Sequence, residues 1–143
     1  MEPTRICLVR HGETAWNAEK RIQGQIDITL NADGLGQAGA TAHWLSQQPV
    51  AALYSSDLAR AWQTAERIGV AVGLTPIPAP ELRERRYGLF EGLTYEDARR
   101  RHPVCYEQFE TRDPGFQLPE DGESLCQLEA RVTACLSRLA AGH

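Results

Sequence analysis

The chain has 143 residues, 42% of them hydrophobic, which is the length and apolar content of one domain with a single core. Its formal net charge of −4 excludes nonspecific nucleic-acid binding, which needs a basic surface. No window approaches a membrane span, and the apolar run Ile6-Cys7-Leu8-Val9 is too short for a secretory leader's core.

That apolar run opens the first predicted element, a buried strand over Arg5–Arg10. A loop rich in turn formers follows from Gly12 to Asn31. Asn31 is a suitable N-cap for a helix reaching about Gln47, with Leu35, Ala38, Ala42 and Leu45 on one face and Pro49 ending it. Ala51-Ala52-Leu53-Tyr54 reads as a second strand. Ser55-Ser56-Asp57 supplies a cap for the next helix, whose stripe is Leu58, Ala61, Ala65 and Ile68. Gly69 and Gly73 loosen or end it, and Thr75-Pro76-Ile77-Pro78 holds a short edge-like strand. This alternation predicts an α/β fold, a three-layer sandwich with a mostly parallel sheet flanked by helices.

Residues 81–122 differ in character, with Arg83, Arg85, Arg86 and the triplet Arg99-Arg100-Arg101 among the aromatics Tyr87, Phe90, Tyr95, Tyr106, Phe109 and Phe116. They read as an insertion within one domain spanning 1–143, lying over the strand ends as a wall or lid. Thr94-x-x-Asp97 resembles a capping box for a short helix. Ser124-x-x-Gln127 is a cleaner one, opening a final helix with Leu125, Leu128, Val132, Leu136 and Leu139 toward the core and Gly142 as its C′ residue. Cys7, Cys105, Cys126 and Cys135 form no CxxC pair and have no histidine at metal-ligand spacing, so no metal site is expected. They read as small buried hydrophobes, and reduced thiols suit a cytoplasmic protein.

Chemistry concentrates at Arg10-His11-Gly12, at the carboxyl end of the first strand, where open α/β sheets bind ligands. One reading is a surface turn in which His11 merely caps a strand. The other makes His11 a nucleophile toward phosphorus, with Arg10 neutralising the phosphoryl oxygens. Arg60, in the first turn of the helix after Tyr54, is either a solvated partner of Asp57 or Glu66 or a second phosphate cation. Glu84 either balances neighbouring arginines or protonates a leaving alkoxide; Glu91 reads as a charge balance.

Together these segments resemble the histidine phosphatase superfamily, also called phosphoglycerate mutase-like. The resemblance rests on Arg10-His11-Gly12-Glu13-Thr14-x-x-Asn17, then Gly24-x-x-Asp27-x-x-Leu30-x-x-x-Gly34-x-x-Gln37-Ala38, then Ser55-Ser56-Asp57-Leu58-Ala59-Arg60-Ala61-x-x-Thr64-Ala65. Leu82-x-Glu84-x-x-x-Gly88-x-x-Glu91-Gly92 and Gly122-Glu123-Ser124 complete it. By that resemblance His11 is the phosphorylated nucleophile, Arg10 and Arg60 hold the phosphoryl oxygens, and Glu84 is the proton donor. Asn17 and the Gln23-Gly24 turn look like further phosphate contacts, and no metal or organic cofactor is implied. The partner implied is a small phosphorylated metabolite, with no nucleic acid and no membrane, and the oligomeric state stays open.

The family also carries a second active-site histidine, in a Ser-His-Gly-type turn after a strand that follows the last helix seen here. His43, His102 and His143 do not stand in that context, so the sequence reads as C-terminally incomplete, a fragment or a degenerate product. Within the family, mutases carry paired arginines before the Gly-Glu-Ser motif, where this chain has only Arg112. Phosphatase is therefore expected over mutase, with a non-catalytic phosphate binder as a third reading. Tyr87, Phe90, Tyr95 and Arg112 are the candidates for substrate selection.

Overall fold

The computed structural model describes residues 3–143. In chain order the elements are α1 (Ala15–Ala18), α2 (Ala32–Leu45), β1 (Tyr54–Ser55), α3 (Ala59–Val72), β2 (Ile77–Pro78), α4 (Tyr95–Arg101), α5 (Pro103–Glu110) and α6 (Leu125–Ala141). The fold is α/β, a small parallel sheet flanked by helices. β1 and β2 pair Tyr54 with Ile77 and Ser55 with Pro78. The N–H groups of Ile77 and Ala79 donate to the carbonyls of Leu53 and Ser55 at 2.8 and 2.7 Å. Pro78, which has no N–H, falls between these two donors and costs the ladder nothing.

The expected strand over Arg5–Arg10 does not form a ladder. A strand exists through its partners, and among the described residues this segment makes no backbone hydrogen bond. Its apolar side chains are exposed, Leu8 to 76%. The expected strand Ala51–Tyr54 keeps only Tyr54: the ladder forms at Tyr54–Ser55, the two residues that β2 can reach.

The helices follow the sequence more closely. Asn31 caps α2 through its side chain, which accepts from the Gly34 N–H at 2.8 Å, and Ala38, Ala42 and Leu45 are buried. Leu35 is only half-buried; Gly34 takes its place on the buried face. α3 ends at Gly73, whose left-handed φ of 73° suits glycine. α6 opens on the complete Ser124–Gln127 capping box, but its apolar stripe is half-buried and only Cys135 is fully so. Gly142 ends α6 at φ −85°, without a left-handed turn. Burial of the cysteines likewise holds for Cys135 alone: Cys7 and Cys126 are exposed and Cys105 is half-buried.

Two apolar clusters form. Ala42, Leu45 and Ile68 pack α2 against α3. Ile22, Phe90, Ala98 and Leu118 make a second cluster, ringed by Tyr87, Tyr106 and Phe109 within residues 81–122. Phe90 is at its centre, edge-on to Phe109 at 5.5 Å. No described helix is long and apolar enough to cross a membrane.

The loop carrying His11 is fastened to α2 by backbone proximity. A Cβ on Gly12 would strike the carbonyl of Gly34, and one on Gly34 would strike the backbone of Glu13. Glu13 completes the joint: its N–H donates to Gln37 Oε1 at 2.8 Å, and its carbonyl accepts from the Asn31 N–H at 2.9 Å. Gly12→Ala or Gly34→Ala is expected to cost at least the roughly 1–3 kcal/mol of an overpacked site, because backbone cannot move aside cheaply. Gly36, also in α2, has nothing near its Cβ position; Gly36→Ala should stabilise by up to about 1 kcal/mol through helix propensity. Urea unfolding of the three variants checks the contrast, and equal effects at Gly34 and Gly36 would contradict it.

Candidate active site

His11 stands where the fastened loop meets α3. Its Nδ1 lies 2.6 Å from the Gly12 carbonyl, so this nitrogen carries the ring proton and donates it there. Nε2 keeps its lone pair. The Gly12 N–H donates to Thr64 Oγ1 at 3.1 Å, and the Thr64 hydroxyl donates to the Arg60 carbonyl at 2.8 Å. Burial lowers the His11 pKa below its ordinary value and outweighs the Gly12 carbonyl, which raises it. The cations Arg60 and Arg10 lower it further, and Glu84 opposes them.

Arg60 is only 2% exposed. Its guanidinium donates from Nη1 to the Ile26 carbonyl at 2.9 Å and from Nη2 to the Gly24 carbonyl at 2.5 Å. It thus ties α3 to the Gly24 turn with two of its five N–H groups. Burial pulls its pKa down, while Glu84, Asp27 and Glu91 hold it up; a group with so high an ordinary value remains a cation. Asp57 is not its partner: that carboxylate takes Arg83, with Nε and Nη2 at 2.6 and 2.5 Å.

The cap on α3 is a second departure. No side chain of Ser55, Ser56 or Asp57 caps the helix at Leu58. Instead Asp27 reaches across the chain and accepts the Ala59 N–H at 2.7 Å. Gly24 has φ +52°, and Glu91 fills the space a Cβ would need. Glu91 Oε1 accepts the N–H groups of Gln25 at 3.0 Å and Tyr87 at 3.1 Å. Glu91 therefore pins the turn to residues 81–122, and the expectation that it merely balances arginines is corrected.

A cavity of about 800 Å³ opens among these groups. Arg10, His11, Arg60 and Glu84 line it, and so do Asn17, Gln23, Gly24 and Tyr87. Asn17 Oδ1 is engaged in capping α1, accepting the Thr14 N–H at 3.0 Å. Gln23 Oε1 accepts from the Thr14 hydroxyl at 2.7 Å. Burial, reinforced by Glu84, pushes the Tyr87 phenol up to about 12, so it stays a hydrogen-bond donor. Arg112 is not brought there: it is exposed, in a left-handed turn (φ 56°) just beyond α5.

Trp16, Lys20 and Arg21 also line the cavity and were not expected. Arg21 spans Glu19 Oε2 and the Gly92 carbonyl, 5.7 Å from the Trp16 ring centroid. Lys20, the only lysine, adopts a φ of 54° that few lysines take, and no sequence signal marked these three residues.

A metal-independent phosphoserine phosphatase of Arabidopsis thaliana is 43% identical over 145 residues, covering 99% of this chain and 60% of the relative. Phosphoglycerate mutase-like protein 4 of the same plant is 42% identical over 140 residues, covering 96% of this chain and 61% of the relative. The chain thus spans about three fifths of the length of these relatives. A mycobacterial glucosyl-3-phosphoglycerate phosphatase, solved with VO3, superposes with a TM-score of 0.85 at 33% identity, over 93% of this chain and 63% of that one. The model of the histidine phosphatase superfamily (branch 1) matches residues 6–143, and the chain belongs to that family.

Proposed function

We propose that this site hydrolyses small phosphomonoesters through a phosphohistidine on His11. The observation that carries the reading is the ring geometry: with Nδ1–H committed to Gly12 at 2.6 Å, Nε2 is the free nucleophile in a cavity walled by Arg10, Arg60 and Glu84. Nε2 attacks phosphorus and the ester P–O bond breaks. Glu84 gives its proton to the departing oxygen. The positive charge that develops on the ring is met by the Gly12 carbonyl, and the guanidiniums of Arg10 and Arg60 face the phosphoryl oxygens. Water then attacks the phosphohistidine, passes a proton to Glu84 and breaks the P–N bond, releasing inorganic phosphate and neutral His11.

Two relatives named for phosphatase activity, on phosphoserine and on glucosyl-3-phosphoglycerate, support the reading. The name of the first also supports chemistry without a metal. Mutase is the second reading, favoured by the name of the other plant relative. Against it stands Arg112, which is exposed and does not line the cavity, so it offers no clamp there for a second anionic group on an intermediate. A non-catalytic phosphate binder would be stabilised by phosphate without turnover.

Three outcomes are expected. Turnover of a phosphomonoester persists in EDTA and is abolished in His11→Ala, together with an acid-labile, base-stable phosphoenzyme label from radiolabelled ester; label surviving in His11→Ala would sink the mechanism. Arg60→Ala lowers kcat/KM by about 10²–10³, the loss of one preorganised charge donor. The third concerns pH. Because the folded pKa of His11 lies below its ordinary 6.5, the unfolded chain binds the extra proton first. The His11 contribution to stability is therefore lost as pH falls from 6.5 through the lowered value. Denaturation at several pH values should show this slope in the wild type and its reduction in His11→Gln.

A further inference from the structure

Glu84 sits in a strip that has no regular structure of its own. Between the short turn at Pro80–Leu82 and Tyr87, residues 83–86 belong to no helix or strand. The Glu84 carboxylate accepts the adjacent Arg85 N–H at 2.6 Å, and its carbonyl accepts Gln25 Nε2 at 3.2 Å. The strip itself must still be held from outside, and Arg131, in the second turn of α6, supplies one hold. Its Nε and Nη2 meet the two carboxylate oxygens of Glu123, each at 2.8 Å, in a fork-to-fork pair. Its Nη1 donates to the carbonyls of Glu81 and Arg83 at 2.6 and 2.9 Å, and Nη2 reaches that of Glu84 at 3.4 Å. A guanidinium has five N–H donors, and here all five have an acceptor.

Glu123 grips the other side of the strip. Its Oε2 accepts the Arg86 N–H at 2.9 Å, its own N–H donates to the Arg86 carbonyl at 2.8 Å, and its carbonyl accepts Arg85 Nε at 2.9 Å. Residues on both sides of Glu84 are therefore fixed, while the Arg131 side chain is not part of the cavity wall. We propose that Arg131, braced by Glu123, is the positioning residue for the acid Glu84, setting where its carboxyl stands without touching substrate. This rests on the proton-donor role of Glu84 proposed above. Lysine cannot substitute: its three donors radiate from one point and cannot span a carboxylate and three carbonyls at once.

The role has a signature that mere structural support lacks. A misplaced acid harms esters whose alkoxide leaves only with a proton, and spares esters of a good phenolate. Turnover of glycerol phosphate and of p-nitrophenyl phosphate is compared in this chain, in Arg131→Lys and in Arg131→Met, below the Tm of each. The alkyl-to-aryl ratio of kcat is expected to fall by about tenfold or more in both variants, within the range of general-acid contributions. A second readout needs no turnover. His11 faces Arg10, Arg60 and Glu84, and of these Glu84 alone raises its proton affinity. In NMR titrations, Arg131→Met should move the His11 midpoint down, as Glu84→Gln does, and the two changes together should add less than their sum.

An unchanged alkyl-to-aryl ratio overturns the proposal, whatever happens to the Tm. If the wild type turns over neither ester, the phosphohydrolase reading has failed and the titration decides: a His11 midpoint that ignores Arg131→Met, or shifts that add fully, overturns the positioning role. Should Arg131→Met not fold, Arg131→Lys and Glu123→Gln make the same two comparisons.

Discussion

The close approach of Gly12 to Gly34 is the constraint on which the site depends. With no Cβ on either residue, the backbone after His11 lies directly on the first turn of α2. Asn31 and Gln37 can then reach Glu13 from the same helix. His11 is held by main chain rather than by its own side-chain packing, which leaves the imidazole free to face a cavity. From there the order of dependence runs outward: Thr64 receives the Gly12 N–H, Arg60 follows one turn earlier on α3, and its guanidinium grips the Gly24 turn.

Charged groups in this neighbourhood are placed largely by neutral backbone groups, carbonyls for the guanidiniums and N–H groups for Glu91. Arg60 is seated by two carbonyls and Arg131 by three, and Glu91 receives two backbone N–H groups. Among the described residues no buried side-chain nitrogen or oxygen lacks a partner. Such satisfaction is what makes burial of these groups tolerable. For Arg60 it also leaves the charge available to a ligand, since a carbonyl orients a guanidinium without neutralising it, whereas Arg131 is paired with Glu123.

Much of this was legible in the chain because it depends on local chemistry. The N-cap at Asn31, the box at Ser124 and the left-handed end at Gly73 need only residue type and spacing. The residues His11, Arg10, Arg60 and Glu84 were singled out by motif, and they share one cavity. What failed depends on distant partners. The segment Arg5–Arg10 has strand composition, yet pairing decides strands and it has none here. Asp27 caps α3 from more than thirty positions away, whereas the nearer run Ser55-Ser56-Asp57 was the natural expectation from sequence. Arg112 was judged by its neighbourhood in sequence, whereas it stands exposed in a left-handed turn outside the cavity lining. The Arg131 hub was missed because carbonyl acceptors carry no residue-specific signal.

The two apolar clusters have a consequence for how the molecule comes apart. One lies between α2 and α3, the other around Phe90, and they share no residue. What joins them is largely polar: Arg60 and Thr64 with the Gly24 turn, Asp27 on the Ala59 N–H, and the Arg83–Asp57 pair, all of them directional contacts. Cooperative units of unequal stability commonly part along such boundaries. Mild heating would then separate the nucleophile's half from the acid's half while helices on both sides persist. Loss of ligand binding would precede loss of circular dichroism, and the weakest plane of the molecule would run through its active site.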